Sequence, residues 1–373
     1  MTNNKYQICT RCIMDTSDPD ITFDLNGVCS NCVDYDRRLL KWGIPDDEKA
    51  EKLKMIVEEI KEAGKGREYD CVIGISGGVD SAYLTYIAHK QGLRILAVHV
   101  DAGWNSEVAV NNIHRLCEKL NIDLHTVVVD WTTMKELQRA YMFSGLPNLD
   151  VPQDHAFISA TFEYAHKCHV KYMLNGVNLA TEGILPKAWG YSALDYTCIK
   201  DVYKKLGRGK VTLKKYPHMG LLKQYRNYYS GSPVRVDLLN YIQYSKKDAM
   251  ELLSREFGWE YYGGKHFESR FTKFFQSYYL PQKFGYDKKR AHLSSLIVGG
   301  EMTREQALAE MNDDSAYTME ERLEDREYIC SKLDITDDEW EKIMNSPNKS
   351  EKDYKTNEKI LSVLRRIKHK ILK

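Results

Sequence analysis

The chain has 373 residues, enough for two or three structural units around at least one sizeable core. Its 54 lysines and arginines balance 53 aspartates and glutamates, so no global field draws it to nucleic acid or to an anionic membrane. No stretch approaches the length of a membrane span and the N-terminus, MTNNKYQICTRC, holds no apolar run, so the expectation is a cytoplasmic protein with no nucleic-acid or membrane partner.

The nine cysteines are an odd number, better read in a chain of this length as thiols and metal ligands than as a disulfide framework. Cys9, Cys12, Cys29 and Cys32 are spaced C-x2-C-x16-C-x2-C, the pattern of two knuckles around one tetrahedral Zn²⁺. Four thiolates leave no open coordination position, so this zinc is expected to be structural. Asn26 and Gly27 fit a turn between short ribbon strands. A ribbon over residues 1–40 is followed from Asp34 to Gly64 by a charged segment with a helical apolar face, Leu39, Leu40, Leu53, Ile56, Val57 and Ile60.

The stretch CVIGISGGVDS, Cys71 to Ser81, organises the rest. Cys71 to Ile75 reads as a buried parallel strand, and Ser76 to Ser81 supplies two glycines, a hydroxyl at each end and Asp80 close to a helix start. Gly77 and Gly78 let the backbone approach a ligand while the first N–H groups of the next helix point at it, which suits phosphate. A carboxylate beside phosphates needs a cation between them, so Asp80 implies Mg²⁺. The plainer alternative is a capped strand-to-helix turn.

Further strands are expected at Arg94 to Val100, Leu124 to Val129, Tyr172 to Val177 and Val234 to Leu239, with helices at Glu107 to Leu120 and Phe157 to Cys168. This alternation predicts an α/β fold, a doubly wound parallel sheet with ligands at the carboxyl ends of its strands, over residues 41–262. Ser245 to Asp248 reads as a helix start of the capping-box type. Residues 263–373 are expected to form a helical substrate or partner region. There Phe267, Phe271, Phe274, Phe275, Tyr278 and Tyr279 recur at helical spacing, interleaved with Lys265, His266, Arg270, Lys273, Lys288, Lys289, Arg290 and His292. The rings read as core, or as a pocket for a negatively charged substrate with a flat ring. Thr303 to Gln306 forms a capping box, and Arg365 to Lys373 reads as a solvated basic tail.

SGGVDS resembles the PP-loop of the N-type ATP pyrophosphatases, which cut ATP between its α- and β-phosphates. The resemblance implies an ATP-binding loop of Ser76, Gly77, Gly78, Val79, Asp80 and Ser81, with Ser76, Asp80 and Ser81 catalytic. It also implies backbone contacts to adenosine from Val98, Val100 and Gly176, and a phosphate-facing Lys246. In order, ICTRCIMDTSDPDITFDLNGVCSNC, SGGVDS, NGVNLATEG and GGKHFESRF to AHLSSLI resemble the N-acetyl sugar amidotransferases, the WbpG-like amidinating proteins of bacterial surface-polysaccharide and nonulosonic-acid biosynthesis. The resemblance spans most of the chain and implies conversion of an acetamido group of an activated N-acetyl sugar to an acetamidino group through an adenylylated intermediate. Lys265, His266, Arg270 and Arg290 are then the candidate sugar-binding residues, and the cofactors are ATP, Mg²⁺ and structural Zn²⁺.

A glutaminase needs an activated nucleophile, and Cys71, Cys117, Cys168, Cys198 and Cys330 lack the flanking glycines of a strained elbow, while Thr2 follows Met1. The chain is therefore expected to use ammonia without making it, and the resemblance implies glutaminase and cyclase-like partner subunits. The alternative reading is a thiolating tRNA-modifying enzyme of the same class, with Cys168 and Cys198 as sulfur carriers; near-neutral charge opposes it. A non-catalytic scaffold would require a degenerate loop, and SGGVDS is intact.

Overall fold

The structure is a computed structural model that describes residues 6–42, 45–190, 192–358, 360, 362 and 363. The proposed basic tail, Arg365 to Lys373, lies outside the described residues. In chain order the first elements are α1 (Ser30–Trp42), α2 (Asp46–Ala63), β1 (Cys71–Gly74), α3 (Val79–Lys90), β2 (Ile95–Asp101), α4 (Glu107–Leu120) and β3 (Asp123–Val128). There follow α5 (Trp131–Met142), α6 (Val151–Lys167), β4 (Tyr172–Leu174), α7 (Leu179–Glu182), α8 (Tyr196–Leu206), α9 (Leu221–Ser230), β5 (Val234–Val236) and α10 (Lys246–Phe257). The C-terminal helices are α11 (Arg270–Phe274), α12 (Leu280–Phe284), α13 (Lys288–Val298), α14 (Arg304–Met311), α15 (Met319–Lys332) and α16 (Asp337–Asn345).

The five strands form one parallel sheet in the order β3-β2-β1-β4-β5, with Cys71 of β1 paired to Ile95 on one side and Tyr172 on the other. Buried on both faces, β1 and β2 need no alternation, which is why they read as apolar runs. The expected doubly wound sheet is present. Its order reverses between β1 and β4, the point where ligands bind beyond the carboxyl ends in such sheets. Two strands are shorter than expected: β4 ends at Leu174, and Leu238–Tyr241 turns into a 3₁₀ segment. The helix expected from Phe157 starts six residues earlier at Val151, because Pro152 fits a first turn, where a missing N–H costs nothing.

Helices α2, α3 and α10 cover one face of the sheet through Ile60, Leu84 and Phe257, while α6 covers the other. A second core continues from α5 and α6 into the C-terminal helices, joining Leu137 and Tyr141 to Phe271, Phe274, Ile329 and Trp340. The boundary expected after residue 262 is thus crossed by a single apolar core. Between α11 and α12 the chain makes a π-helical turn at Phe275–Tyr279, so the ring periodicity seen in the sequence belongs largely to packing. The capping box expected at Thr303 is formed, whereas at Ser245 only the N-cap bond from the Asp248 N–H is made, without the reciprocal half of a box.

The ribbon sits on α13 and α14. Ile13 packs with Leu293 and Ala307, Ser294 Oγ accepts from the Ile13 N–H at 3.3 Å, and Arg304 donates to the Cys12 and Cys9 carbonyls at 3.0 and 3.1 Å. Gly27 has φ +77, the left-handed conformation its turn requires, and Cys32 opens onto α1 rather than a strand.

Candidate active site

The four ribbon thiols are buried and their Sγ atoms lie within 4.8 Å of one another. Cys12 and Cys29 sulfurs are 3.7 Å apart and Cys9 and Cys32 sulfurs 4.0 Å, close to the about 3.8 Å edge of a tetrahedron with Zn–S bonds of about 2.3 Å. Backbone N–H groups of Arg11, Cys12 and Cys29 point at Cys9 Sγ at 3.2–3.4 Å, and that of Met14 at Cys12 Sγ, support that thiolates require. The donor set fits a closed structural zinc site.

The glycine loop follows β1 at the switch point, with Gly78 as N-cap of α3. Gly77 has φ +82 and lies so close to α4 that a Cβ there would stand 2.4 Å from the Ala109 carbonyl oxygen. Ser81 Oγ donates to the Gly78 carbonyl at 3.1 Å and accepts from the Ser76 N–H at 3.3 Å, so the two serines hold the loop's shape as well as facing the cavity. At the end of β2, His99 Nδ1–H donates to the Ile75 carbonyl at 3.1 Å and its Nε2 accepts from Asn105 at 3.2 Å. Burial pushes its pKa down, so it stays a neutral strut.

Asp80 projects from the first turn of α3, and its Oδ1 accepts from Tyr244 at 2.6 Å, Asn178 at 3.1 Å and Thr181 at 3.4 Å. Asn178 caps α7, so the NGVNLATEG segment aims this carboxylate. Glu268, on the loop before α11, lines the same cavity: its Oε1 lies 3.4 Å from the Cβ position of Gly78, and its buried Oε2 has no hydrogen-bond partner among the described residues. An orphaned carboxylate oxygen beside a phosphate loop is what a bound cation would satisfy, so Asp80 and Glu268 together fit Mg²⁺.

Asp80 and Glu268 line a cavity of about 530 Å³ that is also lined by Val100, Gly176, Lys246, Lys265 and His266. It adjoins a second of about 710 Å³, built mainly from residues 261–322, and Lys246, Lys265, Gln276 and Lys288 line both. Lys265 Nζ pairs with Glu182 at 3.3 Å and donates to the Thr181 carbonyl at 3.0 Å. Burial drives the pKa of Lys246 down and that of Lys288 to about 8, and the enclosed His292 well below the usual imidazole value, with the neighbouring lysines adding to its fall. His266 has φ +65, an uncommon conformation for a residue with a Cβ, and its Nδ1 lies 3.7 Å from Glu268 Oε1.

Three expected contacts are corrected. Arg270 is drawn to Asp325 at 2.5 Å and stacks on Tyr328, outside both cavities. Arg290 donates to the Ile13 carbonyl at 2.8 Å and pairs with Asp15, so it fastens the ribbon. Val98 is fully buried, and its carbonyl already accepts from the Ile75 N–H at 2.9 Å. Val100, Gly176, Lys246, Lys265 and His266 do face the cavity. Tyr244 and Glu268 escaped sequence reasoning; Asn178 carries a signal only as a polar residue at a strand's carboxyl end, while Lys288 and His292, two of the basic residues interleaved with the rings, do line the cavities.

Residues 70–187 match the family described as queuosine biosynthesis protein QueC, and residues 268–368 match LPS biosynthesis protein WbpG-like, C-terminal domain. The tRNA(Ile)-lysidine synthase of Chlamydia pneumoniae is 25% identical over 123 residues, 27% of this chain and 39% of that protein. The chain thus spans less than half the length of this relative. Among solved structures, NMN synthetase from Francisella tularensis is 18% identical with a TM-score of 0.30, over 57% of this chain and 92% of that one. NH3-dependent NAD synthetase from Campylobacter jejuni is 15% identical with a TM-score of 0.30, over 58% and 94%. The sheet order and the SGGVDS loop at its switch point define the class, a PP-loop protein of the N-type ATP pyrophosphatase kind. Beyond that domain, residues 268–368 are similar to the WbpG-like C-terminal domain.

Proposed function

We propose that the protein is an ATP-dependent carbon–nitrogen ligase that converts an acetamido group of an activated N-acetyl sugar to an acetamidino group, releasing AMP and pyrophosphate. The observation that carries this reading is the union of two cavities: one holds the phosphate loop, and the other, cation-rimmed and ring-lined, is built largely by the segment that matches the WbpG-like domain. An amide carbon is a poor electrophile, and hydroxide a poor leaving group. Attack of the acetamido oxygen on the α-phosphorus turns that oxygen into part of AMP, which leaves readily once ammonia has added.

The loop backbone, Ser76 and Ser81 would receive the departing pyrophosphate, with Lys246 facing it across the cavity. Asp80 and Glu268 would hold Mg²⁺, which supplies charge neutralisation on that leaving group. Lys265, Lys288 and His292 would take the anionic carrier of the sugar, with Tyr261 and Phe267 available to cover a flat ring. The thiolating alternative finds less support, since neither Cys168 nor Cys198 lines either of these two cavities.

Incubation with ATP, Mg²⁺, ammonium and a panel of UDP- and CMP-linked acetamido sugars is expected to yield AMP and replacement of oxygen by NH; the absence of sugar-dependent AMP across the panel would sink the reading. Asp80→Asn keeps shape but removes charge, and is expected to lower AMP formation by about 10²–10³ with little change in folding. A near-normal rate would refute the assignment of this carboxylate. A partner glutaminase remains part of the proposal: burial pushes the Cys117 and Cys198 thiols up to about 12 and Cys330 to about 11, far from an activated nucleophile. The purified chain should turn over on ammonium at alkaline pH and not on glutamine alone. Robust glutamine-dependent turnover, with contaminating glutaminase excluded, would overturn this.

A further inference from the structure

The cavity that holds the phosphate loop is lined by charges of both signs. Lys246 lies near Asp80 and Glu268, Lys265 pairs with Glu182, and Lys288 faces the N-terminal end of α6, with Asp150, Gln153 and Asp154. Helix α6 is laid across β1 so closely that a Cβ on Gly74 would stand 2.5 Å from the Phe157 ring, which brings the helix start over the carboxyl end of β1 and the loop beyond it. Asp150 and Asp154 are one turn apart and share a face. Asp150 is 5% exposed and accepts from Gln153 Nε2 at 2.7 Å. Asp154 is open to the cavity, and its carboxylate makes no hydrogen bond or close ion pair among the described residues.

An unpaired carboxylate in this cavity repels phosphate and suits a cation. The metal ion that accompanies ATP already has candidate ligands in Asp80 and Glu268, beside the phosphate loop. The remaining cation the reaction needs is the nitrogen source itself, since ammonia near neutral pH is mostly ammonium, which has no lone pair with which to attack. Resting on the amidination reading, we propose that Asp154 is a catalytic residue that receives ammonium in this cavity and takes one proton from it, delivering ammonia to the adenylylated imidate.

The step balances. One N–H bond of ammonium breaks and its proton goes to the Asp154 carboxylate; the freed lone pair forms the C–N bond at the carbon of the neutral imidate. One hydrogen of the added nitrogen moves to the sugar nitrogen, the C–O bond breaks with its electron pair leaving on AMP, and the product departs as an amidinium. Asp154 then returns its proton to solvent when the cavity opens to release products. The charged groups facing Asp154 are Asp150 from its own helix, His266 from the loop before α11 and Lys288 from α13. Enclosure lifts the Asp154 carboxyl to about 6 although His266 and Lys288 pull it down, and burial holds Asp150 well above the carboxylate range, so at neutral pH the ionised partner is Asp154.

The test separates two half-reactions in Asp154→Asn and Asp154→Glu: sugar-dependent ATP–pyrophosphate exchange on the UDP- and CMP-linked panel without ammonium, and amidine formation with ammonium chloride across pH 6–9 (about the range where both groups titrate). Asp154→Asn is expected to keep exchange within a few-fold. It should lose about 10²–10⁴ of amidine formation at neutral pH, a deficit shrinking about tenfold per pH unit as free ammonia rises. The wild-type acid limb near pH 6 should vanish in this variant and reappear, displaced, in Asp154→Glu. Wild-type amidine rates with an unchanged pH profile in Asp154→Asn would overturn the proposal, as would an equal loss of exchange, which would place Asp154 in adenylylation. If Asp154→Asn fails to fold, Asp154→Glu decides, an undisplaced limb counting against the proposal. Absence of exchange in the wild type would instead sink the amidination reading.

Discussion

Gly77→Ala is expected to abolish most ATP-dependent turnover while leaving a folded protein. Two independent costs meet at this position. A residue with a Cβ at φ +82 pays about 1–2 kcal/mol for the left-handed conformation, and that Cβ would stand 2.4 Å from the Ala109 carbonyl oxygen, backbone that α4 holds in place. The Gly77 carbonyl is itself tied down, accepting from Trp259 Nε1 at 3.1 Å. The loop must therefore shift between two fixed neighbours, and its N–H groups shift with it. Displacement of positioning groups by about 1 Å commonly costs about 10²-fold in rate. Calorimetric ATP titration and AMP formation read the loss, and thermal melting shows whether the fold survives. Wild-type AMP formation in this variant would mean that the loop does not cradle the phosphates.

Cys12→Ser is expected to strip the ribbon of zinc and destabilise the whole chain. Zinc binding at closed thiolate sites contributes directly to folding free energy, about 10–16 kcal/mol in isolated zinc-finger peptides. Here the ribbon is also clamped to α13 and α14 through Ile13, Arg290 and Arg304, and the opposite side of α13 presents Lys288 and His292 to the cavities. Loss of the metal should lower metal content from about one zinc per chain, reduce soluble yield and drop Tm by roughly 5–10 °C. Metal analysis of the wild type comes first, because a purified chain with neither zinc nor a substitute metal removes the idea. A metal-free Cys12→Ser chain melting at the wild-type temperature would show that the ribbon's own packing suffices.

Some of this architecture was already written along the chain. The spacing of Cys9, Cys12, Cys29 and Cys32 is a local signal, since each knuckle needs only its own short turn, and the sulfurs do converge. The SGGVDS loop is equally local: two glycines, two hydroxyls and a helix start supply its geometry within six residues, and the structure places them at the switch point. Alternating apolar runs and helical segments fixed the class of sheet, because strands buried on both faces must be apolar throughout.

Other decisions belonged to tertiary structure. Arg270 and Arg290 look in the sequence like substrate ligands, as any arginine among aromatics does, yet Asp325 and Asp15, distant along the chain, claim them. Conversely, Lys288 and His292 fit a solvated face or a pocket equally well in the sequence, and Glu268 looks like an ordinary loop residue; only packing of α13 against α7 and the ribbon turns the first two inward. Asp80 carries its charge in the sequence, but its aim comes from Tyr244, Asn178 and Thr181. Local geometry can be specified by neighbours along the chain, whereas the partner that captures a charge, or leaves it free to act, is set by which distant surfaces the core brings together.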